Sequence, residues 1–130
     1  MDRESMSTEE NYCFDVAGYL IVKGALAKGE LERLNATLDQ NAEVENLLEF
    51  PAQVRDPFRD LLVHPHLVWY LNQLMGHGFI LDSQPELICD TTRTANAPLS
   101  GGNEPRNPAR AYYYQNGRRF SESVQAIWSL

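Results

Sequence analysis

The dipeptide Asn116-Gly117 stands between two β-like runs, Ala111-Tyr-Tyr-Tyr114 on one side and Ser121 to Leu130 on the other. Both residues tolerate positive φ, which a two-residue hairpin turn demands, so this stretch restricts the fold more than any other. Such a turn places Tyr113 opposite Phe120. Beyond it Val124, Ala126, Trp128 and Leu130 fall on one face, and Ser123, Gln125, Ile127 and Ser129 on the other. The alternation predicts a strand over 121–130 with an open edge, whose unpaired amides and carbonyls invite a partner. A homo-oligomer formed through this C-terminal strand is the expectation.

Upstream the pattern turns helical. Leu31, Leu34 and Leu38 follow Leu26 at helical spacing and predict an amphipathic helix over 27–43, poorly capped because Ala27 has no side-chain oxygen. Asp56-Pro57 reads as the start of a short helix with Phe58, Leu61 and Leu62 inside. His64-Pro65 repeats the device, with Leu67, Val68, Leu71, Leu74 and Met75 inside and Gly76 as a left-handed cap. These two helices form a hairpin against the first. Residues 1–11 read as disordered. Phe14 to Val22 reads as a turn at Gly18 into a short strand, Phe79-Ile-Leu81 and Glu86 to Asp90 as further strands, and 46–54 and 91–110 as loops. The chain is thus a single domain over 1–130, mainly helical over 12–76 and β over 77–130. Its class is α+β, with helices packed on a mostly antiparallel sheet.

Residues 1–92 carry sixteen acidic against six basic side chains, whereas 93–130 carry five arginines against Glu104 and Glu122. The net −7 argues against a nucleic-acid partner. The arginine-rich end suits a small anion, and the candidate ligand residues are Ser100, Asn103, Arg106, Arg110, Tyr114 and Arg118. No run is apolar for long enough to span a membrane, and the acidic start is unlike a targeting peptide, so a cytoplasmic protein is expected. Cys13 and Cys89 read as two buried reduced thiols, with a disulfide as the alternative. His64 and His66, two apart at a helix start, point to different faces and read as capping and surface residues rather than metal ligands.

Three stretches taken in order carry a family resemblance. They are Phe14-x-x-x-Gly18-Tyr-Leu-Ile-Val with the Glu30-Leu-x-x-Leu helix; Leu61-Leu-x-His-Pro65 through Leu71-x-x-Leu-Met-Gly76-x-Gly-Phe-x-Leu81-Asp; and Pro98-Leu-Ser-Gly-Gly102 through Asn116-Gly-Arg118 to Ile127-Trp-Ser-Leu130. Together they resemble the phytanoyl-CoA dioxygenase family of iron(II)/2-oxoglutarate-dependent oxygenases. The resemblance implies a partial double-stranded β-helix of the cupin or jelly-roll kind. It also implies descent from an enzyme that hydroxylates a small carboxylate- or thioester-bearing substrate with iron(II) and 2-oxoglutarate.

The family's metal site does not carry over. Its first metal histidine lies between a leucine and a Gly-Gly pair, where this chain has Ser100, and a hydroxyl is a poor substitute for imidazole on iron(II). The second histidine and the late basic residue that holds 2-oxoglutarate fall beyond Leu130 in the family pattern. The expectation is a piece of a longer oxygenase, or a short relative with another role, that binds neither cofactor by itself and has no catalytic or metal residue of its own. The rival expectation is a non-catalytic interaction or small-anion-binding module that dimerises through its sheet edge.

Overall fold

The computed structural model describes residues 3–41, 47, 50–83, 85–87 and 111–130, and there the chain forms four helices followed by a two-stranded antiparallel sheet. The class is α+β. Among the described residues the mostly antiparallel sheet expected over 77–130 reduces to this one hairpin.

Helix α1 (Thr8–Ala17) occupies the segment that reads in sequence as a disordered tail and a turn. Ser7 and Glu10 explain the difference. Ser7 Oγ accepts the Glu10 amide at 3.1 Å, and Glu10 Oε2 accepts the Ser7 amide at 2.8 Å, so two first-turn donors are satisfied reciprocally. Gly18, at φ 76° and ψ 7°, stops the helix in the left-handed region and donates its N–H to the Phe14 carbonyl. Phe14 is therefore helical. The run after Gly18 is extended but joins no ladder among the described residues, and Ile21 is 74% exposed. β-propensity without a neighbouring strand makes no strand. Cys13 lies on α1 as a free, exposed thiol, contrary to the expected burial, and Cys89 lies outside the described residues.

Helix α2 (Lys28–Gln40) falls within the span its leucines mark. Ala27 offers no side-chain cap, but Glu30 Oε2 reaches back to accept the Ala27 amide at 2.8 Å. Leu34 is 1% exposed on the inner face, while Lys28 and Glu32 pair at 3.6 Å on the outer one. Helix α3 (Ala52–Leu62) begins four residues before Asp56, because the Pro51 carbonyl accepts the amides of Val54 and Arg55 at 2.9 and 3.0 Å. Pro57 consequently sits inside the helix, where its missing N–H leaves the Gln53 carbonyl without the usual donor. Helix α4 (Pro65–Met75) starts as the sequence predicts, with His64 Nδ1 accepting the His66 amide at 3.3 Å. Gly76 takes the expected positive φ of 84°, but its ψ of 179° sends the chain out extended rather than into a left-handed turn. The Phe79–Leu81 run has no strand partner among the described residues, and Ile80 is exposed.

Strands β1 (Tyr112–Gln115) and β2 (Arg118–Ser121) pair as the Asn-Gly turn dictates, with Tyr113 opposite Phe120. Asn116 and Gly117 have φ of 53° and 74°, the two positive values of a type I′ turn. β2 stops at Ser121, which corrects the strand expected over 121–130. One further rung follows, from the Glu122 amide to the Ala111 carbonyl, and then the chain runs on without a sheet partner among the described residues. The alternation still governs part of this run, since Val124 and Trp128 are half-buried and Gln125, Ile127 and Ser129 exposed. Here Trp128 packs against the helical core rather than on a neighbouring strand.

Leu34, Leu47, Phe50, Phe58 and Leu61 form the core, with Leu26, Leu38, Val54, Leu87 and Trp128 packed around them. Helices α2 and α3 supply most of it. Trp128 closes it from the far end of the chain, its ring 5.2 Å from that of His64 at the start of α4.

Candidate functional site

Period-two geometry gives the hairpin two distinct faces, and the register assigns the side chains. Tyr112, Tyr114, Arg119 and Ser121 share one; Tyr113, Gln115, Arg118 and Phe120 share the other. The first face meets α1. Arg119 Nε donates to Asp15 at 2.9 Å, another guanidinium nitrogen donates to Asn11 Oδ1 at 2.7 Å, and the guanidinium lies over the Phe14 ring at 5.2 Å. The Tyr112 hydroxyl donates to the same Asp15, and its ring meets Phe14 edge-on. Burial, and then the neighbouring Asp15 carboxylate, push the Tyr112 hydroxyl above its ordinary pKa.

On the opposite face Tyr113 and Phe120 stack, with centroids 4.8 Å apart and rings within 10° of parallel. Beside them Gln115, Asn116, Arg118 and Phe120 line an open depression. Arg118 is exposed and forms no hydrogen bond or ion pair among the described residues. Arg119, one residue on, is 11% exposed and fully engaged.

This geometry separates the sequence-predicted ligand residues. Tyr114 and Arg118 lie on opposite faces of the hairpin, so they cannot share a pocket, and Gln115 takes the place beside Arg118 that the sequence reading gives to Tyr114. Ser100, Asn103, Arg106 and Arg110 lie outside the described residues. His64 and His66 do not point apart, since their rings meet edge-on at 5.3 Å. The cap explains it: His64 turns its Nδ1 back to the His66 amide, which brings the rings together. His66 Nδ1 is buried without a hydrogen-bond partner among the described residues.

A second cluster, which sequence reasoning missed, holds the chain start to α4. Arg3 forks onto both Glu10 oxygens at 2.7 Å, donates to the Tyr70 hydroxyl at 2.8 Å and lies 4.7 Å from the Trp69 ring centroid. The Tyr70 hydroxyl donates to Glu10 at 2.6 Å, and the Trp69 indole donates to the Arg3 carbonyl at 3.0 Å. The capping-box spacing Ser7-x-x-Glu10 was the available signal for the helix, but nothing local marks residues 60 positions away as partners.

The Arg3 guanidinium, assisted by the Tyr70 and Ser7 hydrogen bonds, holds the Glu10 carboxyl at about 2, well below its ordinary 4.5. A lowered folded-state pKa stabilises the fold above the ordinary value, and that stabilisation disappears as pH falls through the folded value. Glu10→Gln is accordingly expected to cost about 1–2 kcal/mol at neutral pH, allowing for partial exposure of the pair. In urea unfolding the gap between wild type and Glu10→Gln should close between pH 4.5 and about 2. A gap that stays constant across that window would assign the cost to packing instead.

Among the described residues no three His, Cys, Asp or Glu side chains converge as metal ligands. The adjacent His64 and His66 rings have no carboxylate bound to them there, and one His64 nitrogen is committed to the helix cap. The described donor set does not fit an iron(II) centre, and no chemistry is assigned through one. Among the same residues no helix is long and apolar enough to cross a membrane. No protein-family model, no curated protein and no solved structure matches the chain.

Proposed function

We propose that the chain is a relative of the phytanoyl-CoA dioxygenase family in which the described residues serve as scaffold: a helical layer and a first hairpin, without a competent iron centre of their own. The observation that carries this reading is the convergence of the three resembling stretches. Phe14 of the first meets Tyr112 beside the third, and His64 of the second meets Trp128 of the third. Segments more than fifty residues apart are thus in contact. The double-stranded β-helix, the iron and the 2-oxoglutarate belong to this reading as inheritance, and the chain alone is expected to be inactive.

Anaerobic iron(II) titration followed calorimetrically, together with 2-oxoglutarate turnover, tests it. The expected result is no stoichiometric metal binding and no succinate formed above the buffer rate. One equivalent of tightly bound iron with 2-oxoglutarate consumption would replace the scaffold by an enzyme.

A second reading, an interaction module that pairs copies of the chain, draws on surface chemistry. The hairpin leaves both outer edges unpaired among the described residues, and Tyr12, Val16 and Ile127 are each more than two-thirds exposed. A concentration-dependent dimer by light scattering would favour it; a monomer at high concentration would remove it.

A further inference from the structure

We infer that the outward face of the hairpin is a binding site for a small organic acid with a flat apolar body, its carboxylate on Arg118 and its body against the Tyr113–Phe120 stack. This inference stands on the hairpin alone and does not depend on the family reading.

The two hairpin faces have opposite fates. The one bearing Arg119 is occupied, because its guanidinium, its Tyr112 neighbour and the α1 side chains satisfy one another. The other is unfilled among the described residues. Tyr113 and Phe120 each remain 37% exposed although they stack, so aromatic surface is left in water next to a cation that has no partner among the described residues. The adjoining depression, about 390 Å³, falls within the range of small-molecule sites. The side-chain amides of Gln115 and Asn116 line it and supply donors and acceptors at its rim.

Charge selects the class of ligand. A guanidinium offers two parallel N–H donors that match the two oxygens of a carboxylate. A phosphate dianion would draw on more than one cation, and among the described residues Arg118 alone supplies one to the depression. The net charge of −7 also repels a polyanion, whereas a monoanion with an apolar body is held chiefly by local contacts. Aromatic stacking beside the ion pair then favours a planar acid over a simple one.

Phenylacetate titrated into the whole chain, followed by amide NMR, is the test, with phenylacetamide, acetate and inorganic phosphate as comparisons. The expected result is saturable shifts of the Gln115 and Asn116 side-chain amides and of the Gly117–Phe120 backbone. Binding should weaken by about tenfold or more for phenylacetamide and for acetate. Arg118→Gln should abolish the phenylacetate shifts while leaving the rest of the spectrum in place, and Arg118→Lys should restore them in part. Phosphate producing the same shifts would reduce the site to point-charge attraction and overturn the proposal. Shifts of equal size from phenylacetamide, shifts indifferent to Arg118→Gln, or no saturable shift at the hairpin would each overturn it as well.

Discussion

Phe50→Ala is expected to cost about 3–5 kcal/mol, the range for emptying a fully buried aromatic site. Phe50 is 2% exposed and meets Phe58 edge-to-face at 6.0 Å, inside a cluster of five buried side chains among the described residues. Whole domains are stable by about 5–15 kcal/mol, so a loss of that size consumes much or all of the margin here. Phe58 borders the hole and belongs to the same core cluster as Leu34, so collapse into it would disturb the packing of α3 and α2. Phe50→Leu, which keeps most of the volume, is expected to cost well under half as much. Urea unfolding monitored by far-ultraviolet dichroism separates the two; equal midpoints for both variants would mean that Phe50 is not in a packed core.

Arg119→Ala is the other large effect, expected at about 2–3 kcal/mol. The side chain gives charge-assisted hydrogen bonds to Asp15 and Asn11 and covers the Phe14 ring. Charge-assisted bonds with little solvent access are worth about twice neutral ones, and the lost ring contact adds to them. The consequence reaches beyond stability, because α1 buries none of its own residues and relies on such ties to stay placed. Asp15→Asn should cost less, since an amide oxygen still accepts from Arg119. A double-mutant cycle with a coupling near zero would show that the pair is incidental.

Legibility in the sequence followed the range of the interactions involved. The hairpin and its register could be read from Asn116-Gly117 because turn chemistry is local, and α4 from His64-Pro65 for the same reason. Leu31, Leu34 and Leu38 gave α2. Helix α1 escaped although Ser7-x-x-Glu10 was in view, because Tyr12 and Val16 are exposed and Phe14, which meets the hairpin, makes no stripe by itself. The start of α3 was misplaced because two prolines offered themselves and Pro51, not Pro57, proved to be the boundary. Strands expected at 19–22, 79–81 and 121–130 failed together: strand propensity needs a partner, and among the described residues only the hairpin provides one.

The candidate site divides along the same line. Grouping Tyr114 with Arg118 overlooked a consequence of the register itself, since placing Tyr113 opposite Phe120 already puts Gln115 beside Arg118 and Tyr114 beside Arg119. That much was available from sequence. The ties from Arg119 to α1, from Trp128 to His64 and from Arg3 to Tyr70 were not, because each joins residues at least sixty positions apart with no pattern to announce them.

Native-state hydrogen exchange addresses the packing of these distant stretches most directly, compared between wild type and Arg119→Ala. If α1, α4 and the hairpin form one unit, their slowest amides in the wild type should open with a shared free energy. In Arg119→Ala the α1 and hairpin amides should then lose protection while the α2–α3 core keeps its own. Hairpin and α1 amides that already exchange at unfolded-chain rates in the wild type, beside a protected α2–α3 core, would contradict the account.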